Sequence, residues 1–146
     1  MKRIALVIVG VIGALYVIAI FLPIDPVERR AGTGLSGELA ADQDTDWAFL
    51  EGRTRAWLET RTWYLVPHSI TVSAWPADGI LYVGCRQCDT KRWPKNVARD
   101  NRVRVKVGDA LYERRAIRIT DPAERQAVLG ARTLEPGLAV FRMAPR

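Results

Sequence analysis

At 146 residues the chain has room for one ordinary domain plus small extras, which excludes a doubly wound dinucleotide-binding sheet. The net charge of +6 is concentrated: Arg86 to Arg118 holds 11 Lys/Arg against 4 Asp/Glu, so that segment alone is +7 and the remainder slightly acidic. A localised basic face suits an anionic small molecule, anionic lipid headgroups or nucleic acid, and the lack of any nucleic-acid recognition motif sets the last aside.

The first element is "IALVIVGVIGALYVIAIFL", Ile4 to Leu22, 19 residues without a charge. At 1.5 Å per residue a helix of that length reaches about 28 Å, close to the hydrocarbon thickness of a bilayer. A cleaved signal peptide is the alternative. The run exceeds a usual signal core, however, and the bulky "FLPIDP" that follows offers no small-residue cleavage site. We therefore expect a single-pass anchor in the cytoplasmic membrane of a bacterium, with lipid around Ile4 to Leu22. Lys2 and Arg3 flank one end and Arg29 and Arg30 the other, so the positive-inside count is close to a tie. The basic pair at the head of the run reads as retained inside, which places the C-terminal domain in the periplasm or otherwise outside the cytoplasm.

Pro23 to Asp46 is rich in Gly, Asp and Ser and reads as a linker, giving an anchor over 1–22, a linker over 23–45 and a folded domain over 46–146. It contains a formal G-x-G-x-x-G at Gly32, Gly34 and Gly37. A phosphate loop of that kind needs a strand before it and a helix after it, and neither is predicted. Beyond it, "DWAFLEG" predicts a helical turn or two, and "TRAWLETRT" a strand. "SITVSAW", "PADG" and "ILYVGC" predict a strand, a turn and a second strand in one hairpin. "PKNVARDN" is a short helix with Pro94 in its first turn. "RVRVKV", Arg102 to Val107, alternates valine and cation and turns through Gly108-Asp109 into "ALYERRAIRIT". Asp121, Pro122 and Glu124 are placed as N-cap, first residue and capping-box partner of a helix, and "GLAVFRMA" is the last strand. The sum is a mainly β domain with short helices: about six antiparallel strands in a closed or nearly closed barrel, preceded by a single transmembrane helix.

The stretch "KNVARDNRVRVKVGDALYERRAIRITDPAE", Lys95 to Glu124, preceded by a hairpin that ends "DGILYV", resembles the split-barrel flavin-binding proteins. These are the relatives of pyridoxamine 5'-phosphate oxidase and of the deazaflavin-dependent nitroreductases. The resemblance extends over about Trp47 to Arg142 in topology, and its specific part is Leu81 to Arg125; Asn101 stands where the family pattern has proline. It implies a six-stranded antiparallel split barrel and a homodimer with FMN or deazaflavin at the subunit interface. It also implies a cofactor phosphate gripped by hydroxyl and basic residues of the second strand and of the loop before the short helix. Carried over by position, these are Ser69, Thr71, Thr90, Lys91, Arg92, Trp93 and Lys95. Trp93 occupies the place where the flavin-binding branch carries a gripping Lys or Arg.

Cys85 and Cys88 have C-x-x-C spacing. Asp89 stands where a c-type haem site needs His, and two Cys with one His fall short of the four ligands of a structural zinc. A local disulfide in an oxidising compartment and a pair of free thiols both remain open. His68 has no placed partner for a catalytic triad, and no catalytic acid, base or nucleophile and no metal site is assigned. Of the five tryptophans, Trp93 lies among Arg92 and Lys95, where it would stack on a planar ring beside a phosphate. Two functions follow: a membrane-anchored split-barrel oxidoreductase using flavin or deazaflavin, or a non-catalytic accessory subunit that docks partner subunits of a membrane complex and holds no cofactor. For either, full-length protein should stay with membranes through carbonate washing, and a mature chain beginning after Leu22 in the soluble fraction would refute the anchor.

Overall fold

The alternation of "RVRVKV" becomes a strand with Val103 and Val105 buried, and its neighbours build a barrel around those valines. In the computed structural model, which describes residues 2–43, 45–130 and 137–146, the chain runs α1 (Lys2–Phe21), β1 (Glu38–Leu39), β2 (Thr54–Arg61), β3 (Pro67–Ala77) and β4 (Ile80–Arg86). It continues α2 (Arg92–Arg99), β5 (Arg102–Val107), β6 (Ala110–Arg118), α3 (Pro122–Leu129) and β7 (Leu138–Pro145). Single 3₁₀ turns lie at Trp47–Phe49 and Cys88–Thr90. Strands β2 to β7 form one antiparallel sheet in the order β6-β5-β2-β3-β4-β7, and the β6–β7 pairing closes it. The fold is thus mainly β, a closed six-stranded antiparallel barrel with short helices and an N-terminal apolar helix. Leu58, Leu81, Val83, Val105, Phe141 and Met143 fill the interior with almost no exposure.

Helix α1 has no fully buried residue and has the length and composition of a membrane span, properties that a signal sequence shares. Helix α3 starts as its sequence predicts, with Asp121 accepting from the Ala123 and Glu124 amides. Glu124 does not complete a capping box; its carboxylate pairs with Arg142 of β7 at 2.9 Å and ties the helix to the barrel.

The stretch read as a linker lies against the barrel. Lys106 Nζ sits 2.7 Å from Asp25, and Ser36 donates to the same carboxylate through its amide and its hydroxyl. Leu35 is 3% exposed and its amide donates to Glu59. β1 pairs in parallel with Ala110 and Leu111, the end of β6 that β7 does not reach. The formal glycine fingerprint has a packing explanation here. Gly32 exchanges main-chain hydrogen bonds with Ser69 (2.9 and 3.2 Å), and a Cβ at Gly32 would fall 1.9 Å from the Ile24 carbonyl oxygen. Gly37 has φ +127°, in the region that favours glycine. Gly34 meets nothing closer than 3.8 Å.

One feature of the sheet sets up the site. β3 pairs with β2 from Pro67 to Ala74 but with β4 only from Ala74 to Ala77, while β4 continues along β7 to Arg86. The two strands separate, and the first half of β3 is left with an edge that no strand covers.

The packing of residues 23–43 and the Asp100–Arg102 ion pair both bear on stability. Gly32→Ala should lower stability by about 1–3 kcal/mol or more through overpacking, while Gly34→Ala stays near neutral in the same thermal or urea unfolding series. Burial pushes the Asp25 carboxyl up, yet the hydrogen bonds from Lys106 and Ser36 outweigh it and hold it below 3.8. The Asp100 carboxyl, held by the Arg102 guanidinium, falls to about 2. Both contributions are complete above the unfolded value of 3.8 and are lost as pH falls through the lower folded values, so acid unfolding should move to higher pH in Asp25→Asn and Asp100→Asn.

Candidate functional site

Where β3 leaves β4 a cleft of about 1000 Å³ opens. Ile70, Val72, Trp75 and Leu138 give it apolar walls. The Trp75 ring lies over Gly84, where an added Cβ would approach it to 3.1 Å, so glycine on β4 is what lets the indole lie flat beside the opening. The Arg53 guanidinium covers the same indole at 5.1 Å.

The rim is cationic, and the cations come from four separate segments. Arg53 and Arg55 stand at the start of β2, Arg86 at the end of β4, and Lys91 and Arg92 at the entry to α2. Arg29 and Arg30 arrive on a tight turn in which Val27 and Arg30 exchange main-chain hydrogen bonds and Glu28 takes φ 52°. Glu28 is the one carboxylate lining the cleft among the described residues. Arginines beside one another repel, so such a rim gains most when an anion joins it.

Polar groups of β3 face the same space. Ser69 turns its amide and carbonyl to Gly32, and by the alternation of an antiparallel ladder Thr71 turns its own to that side. The Thr71 hydroxyl, in the lining, is buried without a hydrogen-bond partner. A buried hydroxyl left in that state is a ready contact for a ligand oxygen. His68 also lines the cleft; burial and, second, the charge of Arg92 lower its pKa from 6.5.

The cleft brings together Thr71, Lys91, Arg92, Trp93 and Cys85 of the residues singled out from the sequence. It does not include Ser69, Thr90, Lys95 or Cys88. Ser69 is fully buried beneath Gly32. Thr90 donates its hydroxyl to the Gln87 carbonyl inside the 3₁₀ turn. Lys95 lies three residues into α2, on an exposed side of it. Trp93 is 4% exposed and packs on Phe141 with ring centroids 4.7 Å apart, so it is a fixed piece of core at the cleft floor. Cys85 and Cys88 are bonded to each other, with Cα atoms 5.4 Å apart and both side chains buried, which ties the end of β4 to the turn before α2. Among the described residues no group of three His, Cys, Asp or Glu side chains is placed to hold a metal.

Sequence reasoning missed Arg29, Arg30, Arg53, Arg55 and Arg86 as rim residues. The signal for Arg53 and Arg55 was there: they share parity opposite to Ala56 and Leu58, which are buried. Nothing local in "VERRAG" indicates that it returns to β3.

No family model matches the chain, and no curated protein matches it. Among solved structures, general stress protein 26 from Bacillus anthracis is similar at 17% identity and a TM-score of 0.55, over 70% of this chain and 88% of that one. A protein of unknown function from Agrobacterium tumefaciens aligns at 18% identity and a TM-score of 0.49, over 61% of this chain; the chain spans 47% of that protein's length. A NimC/NimA family protein from Clostridium acetobutylicum aligns at 14% identity and a TM-score of 0.45, over 61% of this chain and 72% of that one. The Bacillus structure carries the comparison, and the likeness is one of fold: a six-stranded antiparallel barrel with short helices.

His68 is the chain's single histidine, so it reports on the rim directly. Arg92→Gln should raise its pKa toward 6.5 in an NMR titration, because one of the two causes of the lowering is removed. Inorganic phosphate bound at the rim should raise it as well, and by linkage phosphate should bind more tightly as pH falls through the His68 pKa. An unchanged His68 titration in both experiments would separate the histidine from the cationic rim.

Proposed function

We propose that this chain is a membrane-anchored split-barrel protein that binds a phosphate-bearing planar cofactor, FMN or a deazaflavin, in the cleft between β3 and β4 and serves as an oxidoreductase. The observation that carries this reading is the meeting of cationic rim, apolar walls and an unpartnered buried hydroxyl in one opening. Lys91 and Arg92 would hold the phosphate, with Arg29 and Arg30 of the same rim adding field. Thr71 would donate its hydroxyl, and Ile70 and Val72 would flank the ring. When bound, such a group supplies the hydride or electron transfer. The chain supplies binding, orientation and a dry wall, which agrees with the absence of an assigned acid, base or nucleophile. The family resemblance adds a second copy of the chain beside the cleft.

Helix α1 is, in this reading, a retained single-pass anchor in the cytoplasmic membrane, and the barrel lies on the extracytoplasmic side. The Cys85–Cys88 bond supports that placement, because disulfides persist in oxidising compartments. The second reading is a non-catalytic accessory module that contacts partner subunits of a membrane complex. It is favoured by one residue: where the flavin-binding pattern has a gripping cation, this chain buries Trp93 in its core.

Titration of detergent-purified full-length protein with FMN or a deazaflavin, read by tryptophan fluorescence, separates the two. A charge-assisted contact to phosphate is worth about 1.5–3 kcal/mol, so Arg92→Ala should weaken binding about tenfold or more. Thr71→Val should weaken it as well. Lys95→Ala, outside the cleft, should change it by less than about twofold, which is under about 0.5 kcal/mol. No saturable signal for either ligand up to roughly millimolar, about 4 kcal/mol of binding, would leave the accessory reading.

A further inference from the structure

We infer that the tip of the β2–β3 hairpin is a second membrane contact, which dips into the bilayer interface beside α1 and fixes the barrel's orientation on the lipid surface. The inference rests on reading α1 as a span. The tip carries three consecutive large apolar side chains that the barrel leaves outside: Trp63 is 77% exposed, Tyr64 37% and Leu65 58%. They are not loosely disposed. Thr62 closes the loop by donating from its amide and hydroxyl to the Val66 carbonyl, and the Leu65 amide donates to the Thr62 carbonyl. The Trp63 and Tyr64 rings meet edge to face at 5.2 Å. Leu65 is held at φ 67°, a left-handed conformation that a leucine rarely adopts. A loop that holds a leucine in this conformation and still points it at solvent has gained nothing inside the protein from doing so.

What covers the tip is indicated by its neighbour. The Tyr16 phenol of α1 donates to the Tyr64 carbonyl. Tyr16 stands five residues before Phe21, where the helix ends. At 1.5 Å per residue the contact lies about 7.5 Å below the end of the span. Elements that lie in a membrane interface sit about 5–10 Å deep at the headgroup and acyl boundary, so the depth fits. The residue types fit too: tryptophan and tyrosine concentrate at that level, where an amphipathic ring has one side apolar and one wet. Arg61, exposed at the foot of the hairpin, is placed to meet the phosphate layer above it. The occupant is therefore lipid, continuous with the lipid around α1.

Full-length protein in phosphatidylcholine proteoliposomes carrying a nitroxide quencher at shallow acyl depth tests this, with Trp63→Phe as the comparison. The lipid-quenched component of wild-type tryptophan emission should be lost in Trp63→Phe. It should return when Leu65→Trp is added to that variant. Equal quenching of wild type and Trp63→Phe would overturn the inference, as would Trp63 emission that aqueous iodide quenches like a free indole. Shielding of Trp63 from both quenchers would point to a protein covering the tip and would overturn it as well. Carbonate retention, measured on the same liposomes, reports the span separately: loss of the protein there defeats the anchor reading, whereas retention with an unquenched Trp63 defeats the hairpin contact alone.

Discussion

The parting of β3 from β4 is the constraint on which the rest of this molecule depends. β3 is an 11-residue strand held along β2, yet its other edge meets β4 over only four register pairs. A bare strand edge exposes main-chain donors and acceptors that must find partners, and an uncovered edge invites the wrong ones. The chain answers with its own N-terminal segment. Gly32 takes the place of a neighbouring strand residue opposite Ser69, at a position where a Cβ would meet the Ile24 carbonyl and the Ser69 hydroxyl. One bridge does not fill the gap, however. Beyond it the strands stay apart, and the space between them is the cleft. A barrel whose β3 and β4 paired along their full length would have no such opening.

Basic residues in this chain divide by what faces them, and the division explains why a charge count overstates the ligand-facing surface. On β5, Arg104 is clasped by both oxygens of Glu59, Lys106 by Asp25 and Ser36, and Arg102 by Asp100. These cations serve the fold: they join the barrel to the preceding segment and to the end of α2. At the cleft the ratio reverses: among the described residues one carboxylate lines it against several arginines and Lys91. The same residue type is therefore glue in one place and an attractive field in another. Only the three-dimensional arrangement tells which, since Arg104 and Arg92 look alike in a sequence.

What the sequence made legible is what depends on local period and local chemistry. The valines of "RVRVKV" fix which face of β5 is buried, the turn residues fix the hairpins, and Asp121 fixes the start of α3. What it hid depends on distant return. Asp25 meets Lys106 across 81 positions, and Leu35 meets Glu59 across 24, so a stretch rich in Gly, Asp and Ser reads as linker while packing as structure. Trp93 misled for a related reason. Cations on both sides suggested a solvent-facing ring, but the first turn of α2 directs it inward onto Phe141 and leaves its charged neighbours outside. Helical geometry separates adjacent residues by about 100°, so chain neighbours seldom share a face.

The position of the cleft relative to α1 follows from the same segment. Only six residues separate the end of α1 from Glu28, and Arg29 and Arg30 follow at once on the rim. That connection is clamped rather than slack. Thr33 donates its hydroxyl to the Leu22 carbonyl, Ile24 and Gly34 share a main-chain bond, and Asp25 is held by Lys106. A rim built partly from residues tethered this closely to an apolar helix cannot sample all orientations toward a surface that holds the helix. Any ligand that enters the cleft meets a cationic rim whose distance from α1 is set by a few hydrogen bonds. Selection at Gly32 and Asp25 would then act on the site as well as on stability, because loosening either releases Arg29 and Arg30 from their places.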